Sequence, residues 1–326
     1  MATFSKSTFN ATKYAAARPH YPAALHSHVL NYASSPSSSS SPRTLVDLGC
    51  GPGLSTFPFS NHFDNIVGVD PSNNMVQAAR GIQREKEDKG EIESINFRFE
   101  QGRGHELDQI IKQDESVDLV VAGQAAHWFD PLPTYRSLAR ILKPGGAFCF
   151  WGYGEIFFPS RPELTQLIPP YSGGLLGPYW EQPGRSIVES LLVPFPLPLP
   201  HNFPSTSSPS DHSILNSFEP SSLKRSFHLS SSSSSSSPSL SSSESSMIET
   251  SIHPLLLKKE MTLDDLEAYL RTWSSLHKYN EEHRKEEGGK DVVEELLERM
   301  RGRGWREGEK VEAAWEVGMV MGKKKM

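Results

Sequence analysis

At 326 residues the chain has the length of one large domain or two small ones, and a net charge of −6 with a pI of about 6.1 and no large basic block argues against a nucleic-acid partner. Its 36% hydrophobic content is low because Ser- and Pro-rich tracts dilute it, which leaves the remainder long enough to bury a full core. The two cysteines, Cys50 and Cys149, exclude a disulfide framework and sit in no metal-spaced cluster, so no metal is expected; with no signal-type apolar core and no 18-residue apolar window, the expected setting is cytoplasmic and reducing, without a membrane span.

In chain order, residues 1–33 read as an N-terminal arm with aromatics at Phe4, Phe9 and Tyr14, followed by a helix over 21–32 with Pro22 suited to its first turn. Residues 34–43 are a Ser-rich flexible linker, since serine cannot bury apolar surface. A core follows over 44–154. Its strands are expected at 44–48, 66–70, 95–100, 117–123 and 147–153, and its helices at 54–62, 72–88 and 131–142, with Ser72 as an N-cap. Five alternating strand–helix units make a parallel α/β sheet the natural architecture.

From residue 155 the pattern changes to Pro, Gly and aromatics. Residues 155–280 are expected to form a cap inserted before the last strand. Within it a helix is expected at 186–193, disorder over about 205–246 where eight serines run from 230 to 237, and an amphipathic helix over 261–275. There Thr262 and Asp265 resemble a capping box. Residues 281–326 hold a helix (291–301) and a final strand (311–322) that returns to the core sheet.

The chemistry centres on Val46-Asp47-Leu48-Gly49-Cys50-Gly51-Pro52-Gly53-Leu54. A strand that feeds a loop nearly free of Cβ atoms lets backbone N–H groups approach a ligand closely. Asp70 ends the second strand, 21 residues after Gly49, the spacing at which a carboxylate meets the ribose hydroxyls of a nucleoside cofactor. A dinucleotide and S-adenosylmethionine both fit that geometry. Against the dinucleotide, the third glycine comes one residue early for G-x-G-x-x-G, and Asp47 suits a cationic cofactor better than a pyrophosphate. Gln124, His127 and Trp128 follow the fourth strand, at the sheet end where open α/β folds bind ligands.

D-L-G-C-G-P-G, together with Asp70 and the Leu142-Lys143-Pro144-Gly145-Gly146 turn, resembles class I S-adenosylmethionine-dependent methyltransferases. Tyr14 with Arg18-Pro19-His20-Tyr21-Pro22 resembles the opening of one methyltransferase group, and two further blocks, Gly177 to Arg185 and Met261 to Ser275, are similar to the fungal trans-aconitate methyltransferase-like group. The resemblance implies a doubly wound, mostly parallel, seven-stranded Rossmann-like sheet with a helical cap and disordered Ser/Pro-rich insertions. It implies S-adenosyl-L-methionine as the cofactor, bound by Asp47, Gly49, Cys50, Gly51, Gly53, Asp70, Pro71, Met75, Gly104, His105 and Gln124. Gly102 to Leu107 stands where the family has G-D-A-E-x-L, with Arg103 in place of the acid.

The resemblance further implies a reaction centre at Gln124, His127 and Trp128, and a small-molecule acceptor held by Tyr14, Arg18, Tyr21, Trp180, Arg185 and Arg271. Nothing in the sequence sets an oligomeric state. An amine or hydroxyl acceptor must lose a proton, and His127 is then the candidate base. A carboxylate is already ionised and needs cationic donors, for which arginine is suited. Two other readings stay open: a cofactor-binding protein without catalysis, and a nicotinamide-dependent dehydrogenase.

Overall fold

The computed structural model describes residues 10–34, 43–92, 96–203, 208–231, 248–283 and 291–326. A single mixed sheet runs through them, with strands β1 (Thr44–Leu48), β2 (Asn65–Asp70), β3 (Asn96–Gln101), β4 (Val117–Gly123), β5 (Leu142–Phe157), β6 (Lys224–Leu229), β7 (Glu249–Pro254), β8 (Leu257–Met261) and β9 (Val311–Lys323). The order is β3-β2-β1-β4-β5-β9-β6-β7, and β8 pairs with β9 beside β6. The pairs among β1 to β5 are parallel, β9 runs antiparallel to β5, β6 and β8, and β6 and β7 are parallel.

The strands are where the apolar runs place them because both faces of the sheet are covered. Leu45, Leu119, Val121, Cys149 and Trp151 point to one face, against Leu25 and Val29 of the helix Ala23–Ala33 and Leu266 and Leu270 of the helix Leu263–Leu270. Val46, Leu48, Val120, Phe148 and Phe150 point to the other, against Tyr135 and Leu138 of the helix Pro131–Ile141. A strand buried on both faces reads as a continuous apolar run, as β4 does. Ser72 caps the helix Asn73–Asp88, its hydroxyl accepting from the Met75 N–H at 3.4 Å. Thr262 and Asp265 form a reciprocal capping box on Leu263–Leu270.

Several expectations are corrected. The sheet has nine strands among the described residues, with antiparallel members, instead of seven. The strands that the sequence did not place, β6, β7 and β8, all lie inside the stretch read as a helical cap, so 155–280 also extends the sheet. Residues 54–62 hold a 3-10 helix, Phe57–His62. Pro58 sits inside any α-helix begun at 54, where its ring and missing N–H break the ladder; a start at Phe57 puts it in the first turn. The expected single helix over 261–275 breaks after Leu270 and resumes as Ser274–His283.

Disorder over 205–246 is corrected for 208–231. That stretch carries the helix Pro209–Leu215 and strand β6 and buries Leu215, Phe218, Leu223, Phe227 and Leu229. The buried Arg225 guanidinium donates to the carbonyls of Leu192 and Phe195, both at 2.9 Å. The serines at 232–237, the linker at 35–42, and Phe4 and Phe9 lie outside the described residues. No helix among the described residues is long and apolar enough to cross a membrane.

Candidate active site

The loop after β1 is sewn to the end of β2. The N–H groups of Gly49 and Cys50 both donate to the Val69 carbonyl, at 2.7 and 3.1 Å. Gly49 has φ +68°, and a Cβ there would stand 2.4 Å from Ala125 Cβ, so neither the conformation nor the space admits a side chain. Gly51 has φ +53° and open space where its Cβ would project. Asp70 accepts from the Gly51 N–H at 2.9 Å and the Ser72 N–H at 2.8 Å, which fixes its carboxylate at the rim of the loop. Burial raises its pKa to about 6 despite those two donors.

A cavity of about 890 Å³ opens above this loop at the carboxyl ends of the strands. Its wall includes Gly49, Cys50, Gly51, Asp70, Pro71, Met75, Gly104, His105 and Gln124, as the sequence led us to expect, and Arg103. Asp47 and Gly53 are not in the wall. Asp47 is fully buried behind it, with one oxygen accepting from Ser55 Oγ (2.7 Å) and Thr56 Oγ1 (2.6 Å) and the other without a hydrogen-bond partner. Burial again outweighs the two hydroxyls and lifts its pKa to about 6. Gly53 packs against Phe57, where a Cβ would stand 2.4 Å from the ring.

A second, smaller pocket of about 90 Å³ adjoins the first; the two share Tyr14, Arg18, Gln124, Trp128 and Tyr153. It also includes His127, Glu155, Trp180, Glu181, Arg185, Tyr269 and Trp273. The structure thus brings together five of the six expected acceptor residues, with Tyr21 in the wall of the larger cavity. Arg271 is the exception. It pairs with Glu267 and Asp291 at 2.7 Å each, is 41% exposed, and borders neither cavity.

The polar groups of the small pocket are unequally partnered. Arg18 Nη1 donates to Tyr153 Oη at 3.0 Å and Nη2 to the Thr272 carbonyl at 3.3 Å, while its buried Nε has no partner. Its guanidinium lies 4.8 Å from the Tyr14 ring centre and 5.3 Å from that of Tyr269. Arg185 faces two acids, Glu155 at 2.8 Å and Glu189 at 2.6 Å, and stacks 4.1 Å over Trp180. His127 Nδ1 is buried without a partner. Desolvation, with Arg18 and Arg185 nearby, pushes the imidazole down to about 3, so it is neutral and weakly basic at pH 7.

Gln124, expected to reach cofactor and reacting atoms, is occupied otherwise. Its Oε1 accepts from the Tyr153 N–H at 2.7 Å and its Nε2 donates to the Tyr153 carbonyl at 3.1 Å. It does so at φ +55°, a conformation that costs a non-glycine residue on the order of 1 kcal/mol. Gly184 gives the helix Gly184–Glu189 room against Trp128, since a Cβ there would lie 2.9 Å from the indole. The sequence reading missed Tyr153, Glu155, Tyr269 and Trp273. Tyr153 was within reach, because β5 ends on the same side of the parallel sheet as β4. Tyr269 and Trp273 are four residues apart on one side of their segment, and Arg271, two residues from each, falls on the other.

Residues 46–150 match the family model described as a methyltransferase domain. The yeast "Probable S-adenosylmethionine-dependent methyltransferase CRG1" of Saccharomyces cerevisiae is 29% identical over 57% of this chain and 60% of its own length. The malonyl-[acyl-carrier protein] O-methyltransferase of Brevibacillus brevis is 30% identical over 38% of this chain and 43% of its own. The chain therefore spans about half the length of these relatives. Among solved structures, a chain described as a candidate type II methyltransferase from Anaeromyxobacter dehalogenans superposes with a TM-score of 0.60 at 20% identity, covering 94% of this chain and 97% of that one, a likeness of fold.

Residues 46–150 are thus similar to a methyltransferase domain, and the yeast relative is named for S-adenosylmethionine. The cavity fits that molecule. Its volume suits a small-molecule cofactor, the space before Gly51 admits a close backbone approach, and its wall carries the Asp70 carboxylate.

Proposed function

We propose that this chain is an S-adenosylmethionine-dependent methyltransferase that methylates a carboxylate oxygen of a small acceptor bound under Arg18. The cofactor supplies a methyl group on a sulfonium. A lone pair of the acceptor carboxylate forms the new O–C bond while the sulfur keeps the pair of the broken C–S bond. The product is a neutral ester and no proton is exchanged. This chain's part is to bind, orient and exclude water, which supplies much of the rate in an in-line displacement. Asp70 is set to accept the ribose hydroxyls, and Tyr14, Arg18 and Tyr21 roof the cavity.

The observation that carries the reading is Arg18, which stands between the two cavities with no carboxylate partner among the described residues. An arginine so placed suits an anion. The O-methyltransferase named among the relatives is in keeping with oxygen as the acceptor atom. The alternative of a hydroxyl or amine acceptor deprotonated by His127 is disfavoured, because an imidazole pushed down to about 3 takes a proton poorly at neutral pH.

The test begins with calorimetry of S-adenosylmethionine and its demethylated product. Both bind the wild type, and Asp70→Ala weakens them at least tenfold. Turnover of carboxylic acids by His127→Asn then separates the two acceptor readings. A carboxylate acceptor leaves kcat within about tenfold of wild type, whereas loss of a general base costs about 100-fold or more. A wild type that bound neither ligand would sink the methyltransferase reading itself.

A further inference from the structure

We infer that the acceptor carries one ionised carboxylate on an otherwise uncharged, apolar body, and that polycarboxylates are rejected; this rests on the carboxylate reading above. It follows from a charge count in the small pocket. Of its two arginines, Arg185 is already matched by Glu155 at 2.8 Å and Glu189 at 2.6 Å. Arg18 has only neutral partners, the Tyr153 hydroxyl, the Thr272 carbonyl and the faces of Tyr14 and Tyr269. Among the described residues Arg18 is thus the one arginine of the pocket that no acid contacts, while Glu181 is a further acid of its wall.

Donors converge at the Arg18 charge. Arg18 Nε is buried and unpartnered. Tyr153 Oη accepts from Arg18, so its own proton is free to be donated, and burial keeps that phenol protonated. The Tyr153 O–H, beside the guanidinium at the junction with the cofactor cavity, can donate to a carboxylate drawn by Arg18. The rest of the wall is Trp128, Trp180, Tyr269 and Trp273, which suits an apolar body, together with Glu155 and Glu181. A second acceptor carboxylate meets those two acids and finds no unmatched cation; in a water-poor pocket that repulsion is poorly screened.

The test uses the full chain with S-adenosylmethionine and three acids: phenylacetate, phenylsuccinate and trans-aconitate, with one, two and three carboxylates. The expected kcat/KM falls at least tenfold at each step. In Glu155→Gln/Glu189→Gln, which frees Arg185, the expected kcat/KM for phenylsuccinate rises at least tenfold relative to phenylacetate. Equal or greater turnover of trans-aconitate by the wild type overturns the charge count and leaves the carboxylate reading standing. Cofactor binding without methylation of any of the acids removes the carboxylate reading, and this inference with it. If the double variant does not fold, titration of the wild type with the three acids in the presence of S-adenosylhomocysteine decides the order by affinity.

Discussion

Asp47 and Asp70 show how burial and charge are set against each other at a single residue. Both carboxyls are raised to about 6, by desolvation above all, although each accepts two hydrogen bonds. A carboxyl whose folded pKa lies above its unfolded value of 3.8 favours the fold only while protonated. Its contribution is therefore lost as pH rises from about 4 to about 6 and is constant above. Two units correspond to roughly 3 kcal/mol per group as an upper bound. A cationic cofactor reverses the preference, because it favours the ionised carboxylates. The expected outcome is an S-adenosylmethionine affinity that rises between pH 5 and pH 7, by up to about tenfold per carboxylate, followed by calorimetry, with Asp70→Asn flattening the curve. An affinity independent of pH across that range would mean that neither carboxylate senses the cofactor.

At the scale of elements, the sheet end is organised by a side chain acting as backbone. β4 ends at Gly123, and Gln124 then pairs its amide with both backbone groups of Tyr153 on the neighbouring β5. This extends the β4–β5 ladder by one rung and holds the Tyr153 hydroxyl against Arg18. Gln124→Ala loses two hydrogen bonds and keeps the φ strain, for an expected destabilisation of about 1–3 kcal/mol in chemical denaturation. Its effect on turnover is a raised acceptor KM, whereas a group touching the reacting atoms would act mainly on kcat. Glu in place of Gln124 keeps the acceptor oxygen but loses the donor, so partial recovery of KM is expected; a fall confined to kcat would contradict the positioning role.

The same scale explains what was legible. Strands buried on both faces are continuous apolar runs between turn signals, so β1, β2 and β4 fall within a residue or so of where patterning puts them, as do the edge strand β3 and the antiparallel β9. The glycine loop, Asp70 and the Gln124–Trp128 segment were legible as a site because chain spacing fixes them near one sheet end. What Gln124 does there was not, since an amide that binds a cofactor and one that binds a strand have the same letter. β6 was hidden because it opens on Lys224, Arg225 and Ser226 and holds only Phe227 and Leu229 as apolar residues, and the burial of Arg225 depends on carbonyls some thirty residues away. β7 was hidden because an edge strand with one open side carries little apolar signal.

For the whole molecule, the site is a meeting of distant segments: Tyr14 to Tyr21 from the start of the chain, the glycine loop, the ends of β4 and β5, Trp180 to Arg185, and Tyr269 to Ser274. The helix Ala11–Ala17 carries the roof. Ala11 packs on Met75, and the Arg18 that follows is tied to Tyr153 and to the Thr272 carbonyl. None of these ties is needed by the sheet, whose cover on that face comes from Leu25 and Val29 of the next helix. Removal of residues 1–21 is therefore expected to leave a folded, cooperatively unfolding protein with a lowered melting temperature, because of the described elements it takes away one short helix. It is expected to abolish acceptor turnover, since Tyr14, Arg18 and Tyr21 leave with it, and to weaken S-adenosylmethionine far less than it reduces turnover, since the glycine loop and Asp70 remain. Calorimetry and a methyl-transfer assay on the same truncated chain check both halves. If turnover survived with an unchanged acceptor KM, the acceptor would have to be held from the sheet side alone, and Arg18 would not be its anchor.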